Sequence, residues 1–164
     1  MKCLLAPIAI VAALVLAACG SSSTLSSEQF TGLQNQGKQF AKSMETVGAD
    51  ASSCAAGASA GKSSTTPPDL GIVKGCLASA LGKSQAGLTK IIDYTNNLSG
   101  EVDGACSTDL KALSAAMTDV KAVFAKAEGQ ARSGDLVKMQ DKLETVKSTN
   151  ITSAGAAAEK ACKA

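Results

Sequence analysis

From Phe30 onward, the apolar side chains of this chain return at steps of three and four. Phe30, Leu33, Gly37, Phe40, Met44, Val47, Ala51 and Cys54 form one such stripe. Leu70, Val73, Leu77, Leu81, Ser84, Leu88, Ile91, Thr95 and Leu98 form a second. A third runs through Leu110, Leu113, Met117, Val120, Phe124 and Ala127, and a fourth through Leu136, Met139, Leu143, Val146, Asn150, Ala154, Ala157 and Ala161. That spacing is the turn of an amphipathic α-helix, not the strict alternation of a half-buried strand. Four stripes of roughly 25 to 30 residues, each about 40 Å long at 1.5 Å per residue, predict an all-α fold. The expected architecture is an antiparallel up-down four-helix bundle, with helices over residues 27–56, 69–98, 107–131 and 134–163.

Local signals place the ends of these helices. Ser26 with Gln29 three residues later makes a capping box, and Gly57 is a natural stop. Pro67 and Pro68 suit the first turn of the second helix. Gly71, Gly75, Gly82 and Gly87 each weaken a helix interior by about 1 kcal/mol relative to alanine, so a break near Gly82 is a second possibility. Gly71, Gly75 and Ser79 at four-residue spacing point to close helix packing. Ser107 is expected to cap the third helix and Ser133 the fourth. Aromatic residues are scarce, with one Tyr, three Phe and no Trp. Alanine fills many inward positions instead, so the helices can approach closely but bury less apolar area per residue. Thr95 and Asn150 interrupt otherwise apolar stripes. They read as a register-fixing polar pair, or as the lining of a ligand cavity.

The start of the chain has a different character. Lys2 is followed by an uncharged apolar run from Leu4 to Leu16, shorter than the roughly 20 residues of a membrane-spanning helix. This is the pattern of a secretory signal peptide. Leu16-Ala17-Ala18-Cys19 resembles the lipobox of bacterial lipoproteins. The resemblance covers the export segment alone. It implies cleavage before Cys19 and a diacylglycerol on the Cys19 thiol, which anchors the protein to a membrane. Residues 1–18 would be the signal peptide, and residues 19–26, which are rich in serine, a flexible lipidated tether. Residues 27–164 would then be the bundle. Gly20 rather than Asp after the cysteine implies the outer membrane if the host is Gram-negative.

Several chemistries are excluded or disfavoured. There are 16 Lys and Arg against 14 Asp and Glu. No field of that size recruits nucleic acid. Histidine is absent, which removes the commonest general base and the commonest metal ligand. Cys54, Cys76, Cys106 and Cys162 form no C-x-x-C pair of the kind zinc sites use. Ala56 to Ser63 fits the loose phosphate-loop pattern A/G-x-x-x-x-G-K-S/T, but a helical segment precedes it and prolines follow Lys62. The chemistry needs a strand before the loop and a helix after it, so no nucleotide is expected. Asp93, Glu101, Asp103, Asp109 and Asp119 read as solvated carboxylates, and Lys121, Lys126, Lys138, Lys142 and Lys147 as a solvated face. The sequons at Asn97 and Asn150 are assigned no role. No catalytic, metal or cofactor residue is expected, and the chain is not read as an enzyme.

The remaining cysteines have a structural use. In an up-down bundle Cys54 and Cys76 lie at one end, and Cys106 and Cys162 at the other. Crossed pairs would span most of the bundle length, beyond the roughly 7 Å that a disulfide allows between Cα atoms. The expected bonds are therefore Cys54–Cys76 and Cys106–Cys162, formed in an oxidising exported location. The functional expectation is a non-catalytic envelope lipoprotein that presents helix faces to a protein partner or supports envelope structure. The alternative is a carrier holding an apolar, lipid-like molecule within the bundle.

Overall fold

The structure, a computed structural model, describes residues 24–59, 69–146 and 148–163. The described residues are 91% helical and include no strand. Five helices pack together: α1 (Ser27–Ser59), α2 (Leu70–Glu101), α3 (Gly104–Ser133), α4 (Leu136–Glu144) and α5 (Ser148–Cys162).

The first helix starts on the predicted capping box. The Ser26 N–H donates to Gln29 Oε1 at 2.8 Å, and the Gln29 N–H donates to Ser26 Oγ at 3.2 Å. α1 passes through Gly57 to Ser59, so Gly57 is not the stop. Its far end is fastened to α2 at Cys54 and Cys76, which stand at disulfide-bond distance. Asp69 caps α2, its carboxylate accepting from the Gly71 and Ile72 N–H groups at 2.9 and 3.3 Å. α2 then runs unbroken through Gly82, where the hydrogen-bonded Glu128 side chain of α3 lies close by.

Two of the expected caps are elsewhere. α3 begins at Gly104, three residues ahead of Ser107. Ser107 is buried instead, and its hydroxyl donates to the Ser99 carbonyl at 2.7 Å, joining the end of α2 to the start of α3. Ser133 is the last residue of α3, and Asp135 caps α4 by accepting from the Lys138 N–H at 3.1 Å. Between them Gly134 has φ +86°, a left-handed conformation that suits glycine. Its N–H donates to the carbonyls of Gln130 and Ala131, and the Asp135 N–H also donates to Gln130, so the last carbonyls of α3 are satisfied.

The single fourth helix expected over 134–163 is two helices. Thr145 and Val146 donate backbone N–H groups to Lys142 and Leu143 at 3.1 Å, the tight i to i−3 pattern of a closing turn. The Thr145 hydroxyl also takes the Lys142 carbonyl at 2.6 Å. Two β-branched residues, followed after Lys147 by Ser148-Thr149-Asn150, are weak helix formers that compete for backbone bonds. Past the break the inward face steps by one residue, to Gly155, Ala158 and Cys162 in place of Ala154, Ala157 and Ala161, a shift that the unbroken spacing of apolar residues in the sequence conceals.

Neighbouring helices run antiparallel. Asp50 of α1 meets Lys83 of α2 at 2.6 Å, while Tyr94 Oη at the other end of α2 donates to the Gln29 carbonyl at 3.3 Å. Gln85 of α2 donates to Glu128 of α3 at 2.6 Å. Cys106 at the start of α3 pairs at disulfide-bond distance with Cys162 at the end of α5. Along its length α1 lies against α2, α2 against α3, and α3 against both α4 and α5. The largest fully buried side chains, Leu88, Leu110, Thr95, Cys106 and Ser84, all belong to α2 and α3. That pair is the centre of the molecule. Close approach occurs at Gly87, where a Cβ would come within 2.9 Å of the Phe40 ring, and at Gly32 against Tyr94. It does not occur at Gly71, Gly75 and Ser79, which are exposed.

Candidate functional site

The molecule has two unlike ends. At one, the Leu25 N–H donates to the Cys162 carbonyl at 3.3 Å, so the chain enters α1 beside the end of α5. Cys106 and Cys162 are sealed here, 1% and 2% exposed. Leu25, Phe30 and Leu33 face Leu110, Leu113 and Ala158 across an apolar cavity of about 10 Å³. A volume of that size is at the lower limit for one water molecule.

The opposite end collects the large apolar side chains left in solvent. Leu70 and Ile72 in the first turn of α2 are 55% and 48% exposed, and Val137 in the first turn of α4 is 73% exposed. Lys74, one turn below Leu70, reaches Gly134 at the α3–α4 turn, which places all three at the same end. Cys54 and Cys76 stand there as well, each only half-buried. With 30 residues in α3, this end is about 45 Å from the first at 1.5 Å per residue.

The structure does not bring Thr95 and Asn150 together. Thr95 is fully buried on α2, whereas Asn150 is exposed on α5, and those two helices do not adjoin. Neither a polar pair nor a cavity lined by both exists among the described residues. The tight closing of α4 moves Asn150 out of the stripe that the sequence shows. Of the phosphate-loop match, Ala56 to Ser59 continue α1, so a helix and not a strand precedes it. Lys62 and Ser63 lie outside the described residues, as does Cys19. Asp93, Glu101, Asp103 and Asp119 are exposed, while Asp109 is half-buried. Glu101 accepts from the Gln29 amide at 2.5 Å, which ties the end of α2 to the start of α1. Lys126, Lys138 and Lys142 are exposed and Lys121 half-buried. Lys138 pairs with Asp135 at 2.7 Å, and that contact raises the pKa of its ammonium.

One polar cluster was not singled out from the sequence. The Glu128 side chain is 19% exposed and accepts from Arg132 one turn on and from Gln85 across the helix pair. The Arg132 guanidinium holds the Glu128 carboxyl below its ordinary value of 4.5, with Gln85 adding in the same direction. The i, i+4 spacing of Glu128 and Arg132 was a visible signal, but the Gln85 partner is 43 residues away. The cluster joins α2 to α3 and has the character of a structural clasp. Among the described residues, no three His, Cys, Asp or Glu side chains gather as metal ligands would, and no helix is long and apolar enough to cross a membrane. No family model matches the chain, and comparison with curated proteins and with solved structures finds no match.

Proposed function

We propose that this protein is a non-catalytic envelope lipoprotein, a helical module held to a membrane through a lipid on Cys19. Residues 1–18 are read as its signal peptide and residues 19–26 as the tether. α4 and α5 are read as one fourth arm broken near residue 147, so that the chain runs up, down, up, down. The observation that carries the reading is the polarity of the molecule. The chain arrives at Leu25 at one end, and Leu70, Ile72 and Val137 are exposed at the other. A tether at the first end leaves the apolar side chains about 45 Å outward, free to meet a protein partner.

The carrier reading asks more of the molecule. An acyl chain needs a cavity far larger than the one of about 10 Å³ beside Leu25, so the helices would have to part to admit it.

Expression in a bacterial host separates these ideas. Wild-type protein should incorporate labelled palmitate and sediment with membranes, and the C19A variant should do neither. Continued labelling of C19A would refute the anchor assignment. Native mass spectrometry of the domain should give the bare protein mass, whereas a co-purifying lipid would favour the carrier. A photo-crosslinking side chain at Val137 should give a discrete adduct in intact cells, and one at exposed Lys111 on α3 should not.

A further inference from the structure

The two cysteine pairs differ in surroundings and in what they hold. Cys106–Cys162 is enclosed by the core, 1% and 2% exposed, at the end where α1, α3 and α5 meet. Cys54–Cys76 is half-buried at the other end, on the outer helix. Beyond Val47, none of the described α1 side chains is buried. Among the described residues, 48–59 are joined to α2 by the Cys54–Cys76 pair and by the Asp50–Lys83 ion pair, whose side chains are 44% and 57% exposed. An ion pair that open to water contributes little. The segment is also a poor helix by itself, since Gly48, Asp50, Ser52, Ser53, Gly57 and Ser59 are all weak formers. The Cys54–Cys76 pair is thus the strongest described tie in the last three turns of α1, whereas buried side chains such as Leu33 and Val47 hold the earlier turns.

We propose that Cys54–Cys76 is a reducible latch: a site for thiol–disulfide exchange with a dithiol, whose opening frees the end of α1 while the rest of the fold stays intact. In the exchange, one thiolate of the dithiol attacks a sulfur of the pair. The Cys54–Cys76 bond breaks, a mixed disulfide forms, and the displaced cysteine takes a proton. The second thiol of the dithiol then attacks its own sulfur in that mixed disulfide and releases the other cysteine. The dithiol leaves as a disulfide, and its two electrons and two protons reside on Cys54 and Cys76. The register set by Cys54–Cys76 and Asp50–Lys83 lays residues 52–58 alongside residues 72–78 of α2. Release of α1 thus uncovers the stretch of α2 next to Leu70 and Ile72, which are already exposed. The latch controls the size of the apolar surface at this end. This inference rests on burial and pairing and is independent of the lipid anchor.

The full chain, purified in detergent, provides the test. It is treated with graded dithiothreitol without denaturant, quenched, alkylated and mapped by mass spectrometry. Cys54 and Cys76 should become labelled together while Cys106 and Cys162 stay linked. Hydrogen exchange across residues 48–59 should then quicken by about tenfold or more, with α3 unchanged. The C54S/C76S variant should show the same fast exchange without reductant. Three results would overturn the proposal: reduction of Cys106–Cys162 first or at the same rate, unchanged exchange across residues 48–59 after reduction, or a reduced protein whose α3 exchanges as fast as α1.

Discussion

Thr95 is fully buried in α2, and its Oγ1 has no hydrogen-bond partner. Ser84 and Thr89 on the same helix both give their hydroxyls to the carbonyl four residues back. Leaving a buried hydroxyl unpaired forfeits the bonds it makes with water in the unfolded chain. Thr95→Val keeps the shape and removes the orphan, so it should stabilise the protein by about 1 kcal/mol in urea unfolding. A loss of stability would mean that the hydroxyl is satisfied after all. Glycines give a paired comparison. A Cβ at Gly75 meets nothing within 4 Å, so Gly75→Ala should gain up to about 1 kcal/mol of helix propensity. At Gly87 the new methyl presses on the Phe40 ring, and Gly87→Ala should gain less than Gly75→Ala or destabilise. Equal gains from the two would contradict the close approach of α1 and α2. At this scale the sequence is legible where the signal is local. Ser26 and Gln29 lie three residues apart, and their box forms. Ser107 was misread because its partner, the Ser99 carbonyl, belongs to the preceding helix, and a cap preference contains no information about that neighbour.

The helices themselves were legible for the same reason that their breaks were not. An apolar stripe reports which face of a helix is inward, and α1, α2 and α3 follow theirs closely. The sequence stripe from Leu136 to Ala161 keeps one period across Thr145 and Val146, but the inward face of α5 is one residue out of step with it: Gly155, Ala158 and Cys162 are buried while Asn150 and Ala157 are exposed. At the end of α4 the Thr145 hydroxyl and the Thr145 and Val146 N–H groups all bond carbonyls three residues back, a local closure that the apolar period does not encode. Pairing between elements has its own signature in pH. Glu128 on α3 is held below its ordinary value of 4.5 in the folded state, first by Arg132 and also by Gln85 of α2. A carboxyl with a lowered folded pKa contributes stability that is complete above its unfolded pKa and is lost as pH falls through the folded one. The wild-type Tm should therefore drop as the solution is acidified from about pH 5 to about pH 3. Glu128→Gln should show a shallower drop over that range, since it has no carboxyl to protonate at this position. Parallel curves for the two proteins would show that the Glu128 cluster contributes nothing to the α2–α3 contact.

For the whole molecule, the cysteine pairing was accessible from the sequence because it depends on topology alone. An antiparallel arrangement of neighbouring helices puts Cys54 near the end of α1 beside Cys76 near the start of α2, and Cys106 at the start of α3 beside Cys162 at the end of α5, and the structure brings together those two pairs. The functional surface was less legible. The exposure of Leu70, Ile72 and Val137 follows from where α1 and α3 end, and Leu70 looks like any other member of its apolar stripe. The two pairs also differ in how much of the fold depends on them. They close loops with separations of 22 and 56 residues, for which chain entropy alone gives about 3 and about 4 kcal/mol. That difference is small. Burial enlarges it, because serines in place of Cys106 and Cys162 would set two hydroxyls in sites 1% and 2% exposed, at about 1 to 3 kcal/mol for each one left unpaired. Serines in place of the half-buried Cys54 and Cys76 keep access to water. The C106S/C162S variant should therefore unfold at a distinctly lower urea concentration than C54S/C76S, with both below wild type. The unfolding free energy of C106S/C162S should fall by several kcal/mol, and that of C54S/C76S by about 3 kcal/mol. Equal midpoints, or a lower one for C54S/C76S, would place the covalent support of this fold at its outer helix instead of its core.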